Sequence, residues 1–272
     1  MSPVSGLVEP SVSETIATTA SPQRSCARPE KHNAVSPRTN AEMAEAFDEF
    51  ANDDGLWVAI LTGAGDKAFC SGGDIGAMVD AETEADYPIP ASGYGGLTNR
   101  HDCFKPIIAA VNGFAFGSGF EMVLAADLAI AAEGANFGFP EPKIGTAAVA
   151  GGMHRLVRQL GWKPAMEILL TGDPIDAEKA LSLGLLNSIV PRSEVLTEAR
   201  KLADTIVACA PLAIQATKQS AMLGLEHRGI AAAMQAQTDG EYDILKAMFK
   251  SSDIKEGLRA FLEKRNPDFE GR

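Results

Sequence analysis

The apolar positions of this chain follow two rhythms, and the change between them divides it. In the first half they form short unbroken runs closed by glycine. LWVAILTG (56–63) is one such run, and KPIIAAVNG (105–113) repeats it. A continuous apolar run of that length ending in a turn residue predicts a strand covered on both faces. After Gly119 the run FEMVLAAD has no turn residue and predicts a buried helix, and LAIAAEGANFGFPE returns to strand and loop. Upstream, Ser36-Pro37 predicts an N-cap followed by proline at the first helical position. Met43, Phe47 and Phe50 follow at helical spacing, so a helix is expected to about Ala51. The order helix, strand, loop, strand, helix, strand predicts an α/β core with crossover connections. From about residue 153 the rhythm is mostly helical. Helices are expected over 153–160, 163–170, 176–183, 194–208, 211–223 and 253–264, with one strand in LLNSIV (185–190).

Residues 1–26 are rich in Ser, Thr, Pro and Ala and show little apolar periodicity. They lack the apolar stretch of a signal peptide, and Glu9 and Glu14 argue against a transit peptide. They are expected to form a poorly ordered lead-in.

Composition narrows the function classes. With 46% hydrophobic residues over 272 positions the chain can bury a sizeable core. Its formal net charge of -12 repels nucleic-acid phosphates and anionic lipid, so neither is an expected partner. The longest apolar run, near 106–132, is interrupted by Asn112, Glu121 and Asp127, which argues against a membrane span. Cys26, Cys70, Cys103 and Cys209 are scattered, as are the four histidines, and there is no CxxC or HExxH. The expectation is a reduced, cytoplasmic, metal-free protein.

Several constellations could carry chemistry. Gly63, Gly65 and Ala68 after a strand match G-x-G-x-x-A, a dinucleotide fingerprint, but Gly72-Gly73 would break the helix that motif needs, so a tight turn is the better reading. Ser118 lacks the nucleophile elbow, because Phe116 and Phe120 occupy its glycine positions. Two glycine loops behind strands, FCSGGDI (69–75) and FGSGFE (116–121), have another use. One N–H from each could meet at a single carbonyl oxygen and stabilise an oxyanion as it forms. Close-packing turns are the plainer alternative. Glu121 follows the second loop, and Glu141 stands 20 residues further on, between Pro140 and Pro142. A helix-end charge explains the first and a solvated loop charge the second. Together they could serve as base and acid on one substrate.

Taken in order, the motifs resemble the crotonase, or enoyl-CoA hydratase/isomerase, family. The resemblance runs through RPEKHNAV (28–35), KAFCSGGDI (67–75), KPIIAAVNGFAFGSGFEMVLAADLAIA (105–131), FGFPEPKIG (137–145) and GGMHRLVRQLG (151–161). It continues through TGDPIDAEKALSLGLLNSIV (171–190), APLAIQATK (210–218) and EGLRAFLEKRNPDFEGR (256–272). It implies a spiral core of β-β-α units over 27–195, and a C-terminal helical region over 196–272 that builds a homotrimer or a dimer of trimers. It implies an acyl-CoA thioester as substrate, the CoA being part of the substrate and not a separate cofactor. The oxyanion-hole amides would be those of Gly73 and Ser118, and the catalytic acids Glu121 and Glu141. Members retaining both acids resemble hydratases and dehydratases, which add water across a 2-enoyl-CoA or remove it. Glu141 is assigned chiefly to proton exchange at Cα and Glu121 chiefly to water.

The same resemblance places Ala34, Ser71, Gly73 and Ile75 around the adenine and pantetheine of CoA, with Lys31 and His32 near phosphate or ribose. Phe261 and Lys264 would reach CoA from a neighbouring subunit, an ordinary amphipathic terminal helix being the lesser alternative. The stretch ETIATTASPQRSCARPE departs from the family, with no alternating apolar pattern and Ala27 where an asparagine is usual. A shortened, distorted or missing first hairpin is expected there. The loop 79–98 lies where the family shapes its acyl pocket and is expected to be mobile. Two other activities stay open: an enoyl-CoA isomerase using Glu141 alone, and a catalytically silent acyl-CoA-binding protein. Acyl length, stereochemistry and pathway are not fixed by these residues, which carnitinyl-CoA dehydratases share.

Overall fold

The computed structural model describes residues 11–13 and 27–272. Most of the lead-in expectation therefore lies outside the described residues. Within it, β1 (Ser11–Ser13) runs parallel to β2 (Leu56–Thr62). Helix α1 (Pro37–Asn52) begins as its sequence predicts: the Ser36 side chain accepts from Thr39 N, and Pro37 takes the first helical position.

The core is a spiral in which each turn lays down two strands and then a helical segment. The first turn is β2, β3 (Ala68–Cys70) and α2 (Ile75–Asp80). The second is β4 (Ile107–Val111), β5 (Phe114–Phe116) and α3 (Ser118–Ala125). The third is β6 (Leu128–Ala132), β7 (Asn136–Gly138) and a 3-10 turn over Glu141–Ile144. Then come α4 (Gly152–Gln159), α5 (Trp162–Thr171), β8 (Ile175–Asp176), α6 (Ala177–Ser182), β9 (Ser188–Val190) and α7 (Val195–Val207). Four more helices follow: α8 (Pro211–Gly224), α9 (Ile230–Asp239), α10 (Asp243–Lys250) and α11 (Ser252–Glu263). Two sheets result, because successive turns stack. One is all parallel in the order β1-β2-β4-β6-β9. The other has the order β3-β5-β7-β8, antiparallel only at its last pair.

This stacking explains the unbroken apolar runs. Side chains alternate across a strand, and both faces of the larger sheet are covered. Val58, Ile60, Ile108, Ala110, Ile130 and Ala132 pack against Val195, Ala199 and Ala203, a stripe on α7 at every fourth position. The intervening Ala59, Leu61, Ile107, Ala109, Val111, Ala129 and Ala131 face the interior, with Phe47, Phe50, Phe120, Phe137 and Phe139. Helix α8 is tied to this core by Lys218 Nζ, which reaches Asp127 Oδ2 at 2.7 Å and donates to Lys105 O at 3.0 Å.

Four differences from the sequence reading matter. Helix α3 starts at Ser118, not beyond Gly119, which places the Ser118 N–H in the unpaired first turn of the helix. Strands β3, β5 and β8 are too short to leave a periodic signal. Helices α9 and α10 were not foreseen: only Ala236 is buried in the first and no residue in the second, although Ile244, Leu245, Met248 and Phe249 recur at helical spacing in α10. In the loop expected at 79–98, the second half packs on α1. There Gly95 N donates to Asn40 Oδ1 at 2.8 Å and Leu97 is buried. Among the described residues no helix is long and apolar enough to cross a membrane.

Candidate active site

Two equivalent corners of the spiral meet. In the first turn the chain leaves β3 through Gly72 (φ 104); in the second it leaves β5 through Gly117 (φ 53). Both conformations suit glycine and strain any other residue. The corners nearly touch: a Cβ built on Gly72 would lie 3.6 Å from Ser118 N, and one built on Gly117 would lie 3.7 Å from Gly72 Cα. The next residue in each corner, Gly73 or Ser118, has a backbone N–H without a hydrogen-bond acceptor among the described residues.

The segment before α1 braces the first corner. Val35 N donates to Gly72 O at 2.8 Å and Asp74 N donates to Val35 O at 2.9 Å. The Arg28 guanidinium pairs with Asp74 at 2.7 Å and holds its carboxyl below the usual carboxylate range. Asn33 Nδ2 donates to Ala64 O and Ala68 O, both at 2.9 Å. Over Gly73 lie two side chains. A Cβ there would run into Met78 Cε and stand 3.3 Å from Tyr87 Oη. Tyr87 is pinned in turn, donating to Val35 O at 2.6 Å and accepting from Asp74 N at 3.2 Å.

Two carboxylates flank the second corner. Glu141 opens the 3-10 turn after Pro140, and its Oε1 lies 2.8 Å from where a Cβ on Gly117 would be. Its Oε2 is buried with no hydrogen-bond partner among the described residues. Burial pushes the Glu141 carboxyl up, opposed by its own backbone N–H. Glu121, in the first turn of α3, is 2% exposed. Its Oε1 accepts from Gly152 N at 2.8 Å, where α4 begins. Burial pushes its carboxyl up to about 7. The Gly152 and Ala150 amides and the Arg155 charge pull it down, and the Glu141 charge raises it. Two such acids close together can hold one proton between them near neutral pH, the state needed to give a proton at one point and take one at another.

The structure thus brings Gly73, Ser118, Glu121 and Glu141 to one place. Lys31, Ala34, Ser71 and Ile75 gather around the first corner: Ser71 N donates to His32 O at 3.0 Å, Ser71 Oγ lies 3.4 Å from Lys31 O, and Ile75 is exposed as the first residue of α2. Phe261 and Lys264 are on and just after α11, whose main neighbour is α10, and are not among this group; Phe261 is 82% exposed. The dinucleotide reading is excluded, because the chain turns from Thr62 into β3 and no helix starts at Gly65. Ser118 Oγ is buried without a hydrogen-bond partner among the described residues, so no base activates it.

Sequence reasoning missed Met78, Tyr87, Tyr94, Arg155 and the amides of Ala150 and Gly152. Only the last had a visible signal, the Gly151-Gly152 pair before a helical run. A separate cleft beside α11, lined by Lys255, Glu256, Arg259, Arg265 and Asp268, lies apart from this constellation, and Arg265 and Glu256 pair within it at 2.6 Å.

Known proteins resemble this chain along most of its length. The model of the family described as enoyl-CoA hydratase/isomerase matches residues 25–272. A carnitinyl-CoA dehydratase of Proteus mirabilis (strain HI4320) is 40% identical over 243 residues, covering 89% of this chain and 92% of that protein. Its counterpart from Salmonella enteritidis PT4 (strain P125109) is 41% identical over the same shares. Among solved structures, an enoyl-CoA hydratase from Mycobacterium tuberculosis H37Rv superposes with a TM-score of 0.82 at 40% identity, covering 90% of this chain and 93% of that one. One from Bacillus anthracis gives 0.82 at 30% identity over the same shares.

Proposed function

The chain belongs to the enoyl-CoA hydratase/isomerase family and is a hydratase-type lyase acting on enoyl-CoA thioesters; we propose that the four groups at the paired corners divide its reaction as follows. The thioester oxygen sits between the Gly73 and Ser118 N–H groups. As water adds at Cβ, electrons move onto that oxygen, and the two amides stabilise the enolate. Glu121, ionised, takes one proton from the attacking water, whose oxygen bonds to Cβ. Glu141, protonated, gives its proton to Cα as the enolate collapses. The product is a 3-hydroxyacyl-CoA, and transfer of one proton from Glu121 to Glu141 restores the starting pair. Dehydration runs through the same states in reverse.

The observation that carries this reading is the buried, unpartnered Oε2 of Glu141, whose other oxygen abuts Gly117. A buried carboxylate oxygen with no donor is costly, and a proton shared with substrate gives it a use. No cofactor enters beyond the CoA of the substrate, which would lie along Lys31, Ala34, Ser71 and Ile75. A trimer, with Phe261 and Lys264 reaching a neighbour's CoA, is supported by the exposed apolar side chains of Phe249, Leu258, Phe261 and Leu262 on α10 and α11.

The test is to offer crotonyl-CoA and a 3-enoyl-CoA to the wild type, Glu121→Gln and Glu141→Gln. Hydration of crotonyl-CoA by the wild type, with kcat reduced by roughly 10²–10⁴ in each variant, is expected. Consumption of only the 3-enoyl-CoA, dependent on Glu141 alone, would make the protein an isomerase. CoA-ester binding without turnover would make it a binding protein.

A further inference from the structure

Arg155 stands in an electrostatically awkward place. It is in the fourth position of α4, and long helical side chains point back toward the N-terminus. Its guanidinium accordingly folds over the start of its own helix, where the dipole is positive and a cation is disfavoured. A Cβ on Gly151 (φ 102) would run into Arg155 Nη1, so the guanidinium packs directly on the turn carrying the Ala150 and Gly152 amides. Those two amides hold Glu121. The guanidinium is partly buried and has no hydrogen-bond acceptor among the described residues. Its burial works against the charged form, and the Glu121 carboxylate is what favours it.

We infer that Arg155 is a positioning residue for Glu121, clamping the 150–152 turn so that its amides stay aimed at the carboxylate and supplying the counter-charge that keeps Glu121 ionised beside Glu141. The inference rests on Glu121 as the base for water. The other titratable groups facing Glu121 do not supply that charge. Glu141 is negative when ionised. Tyr94, from a second 3-10 turn (Tyr94–Gly96), and Cys70, on β3, have ionisations pushed up by burial, the thiol to about 12, and stay neutral. Among the described residues, Arg155 is the cation whose charge acts on Glu121.

Arg155→Gln and Arg155→Lys separate charge from packing. In the hydration of crotonyl-CoA, Arg155→Gln is expected to move the acid limb of the kcat profile up by about one pH unit. Its kcat then falls about tenfold at pH 6 and recovers toward wild type at alkaline pH, with KM little changed. Arg155→Lys keeps the limb near its wild-type position. The second measurement needs no turnover: the carboxyl stretch of isotopically labelled Glu121 is titrated by infrared difference spectroscopy in a Glu141→Gln background, and Arg155→Gln is expected to shift it upward. If both variants lose the same activity at every pH, or the infrared titration does not move, the inference is overturned. A wild type that does not hydrate crotonyl-CoA would overturn the proposed function, and the infrared titration would still decide the charge on Glu121.

Discussion

The first and second turns of the spiral end in the same corner, a positive-φ glycine followed by an unpaired N–H, yet they present it from opposite surroundings. The second corner feeds α3, in which seven of eight residues are buried. The first feeds α2, in which none is buried and Ile75 and Val79 are 57% and 78% exposed. One amide of the pair is therefore set in the rigid interior. The other is held by surface braces: Arg28 on Asp74, Tyr87 on Val35 and Asp74, and Met78 over Gly73. Both acids attach to the interior corner. On the proposed reading the chemistry belongs to the buried corner, and the exposed corner is the one substrate would meet first.

Disturbing the interior corner should have the largest effect. In Gly117→Ala the new methyl would meet Glu141 Oε1 at 2.8 Å, at a φ of 53 that alanine tolerates poorly. A loss of roughly 10²-fold or more in kcat is expected from misplacing the acid, with about 1 kcal/mol or more of stability lost. Steady-state kinetics and denaturant unfolding check both. A kcat within threefold of wild type would show that this corner is no more rigid than the other.

Tyr87→Phe tests the surface corner with a smaller effect. It removes a hydroxyl that donates to Val35 O and accepts from Asp74 N. A cost of about 1 kcal/mol in stability is expected. KM should rise a few-fold while kcat changes less than KM, because the braces and not the acids are loosened. A fall in kcat with unchanged KM would contradict the division.

Ser118→Ala should change least. The proposed donor is the backbone N–H, and the hydroxyl is buried without a partner among the described residues. Activity is expected within about twofold of wild type and stability equal or higher, since an unsatisfied buried hydroxyl costs on the order of 1 kcal/mol. A hundredfold loss would restore a chemical role to the side chain.

The same contrast decides what the sequence reveals. Strands β2 and β4 and helix α3 stand out because burial on all sides leaves unbroken apolar runs. Helix α1 stands out through Ser36-Pro37 and the spacing of Met43, Phe47 and Phe50. The four central residues, Gly73, Ser118, Glu121 and Glu141, are visible as two glycine loops and two acids that packing turns and ordinary charges would also explain singly; their order along the chain carries the family resemblance. The surface corner is not legible. Short α2 buries none of its residues, Tyr87 sits in a loop without rhythm, and its contact with Val35 crosses the fold. Arg155 hides for a related reason. On one helix it reads as an ordinary solvated cation, and only the crossing of α4 over α3 puts it beside Glu121. Helices α9 and α10 are not foreseen although Ile230 with Met234, and Ile244 and Leu245 with Met248 and Phe249, recur at helical spacing; Ile230, Met234 and Phe249 are exposed in a single chain.

The central claim is that one thioester oxygen is shared by amides from two separate turns. The most direct measurement is a crystal structure of the protein with butyryl-CoA, a saturated ester that neither hydrates nor dehydrates. The account predicts the carbonyl oxygen about 2.7–3.2 Å from both Gly73 N and Ser118 N, with Glu121 and Glu141 on either side of the Cα–Cβ bond. A carbonyl bonded to only one of those amides, or lying away from both acids, would contradict it.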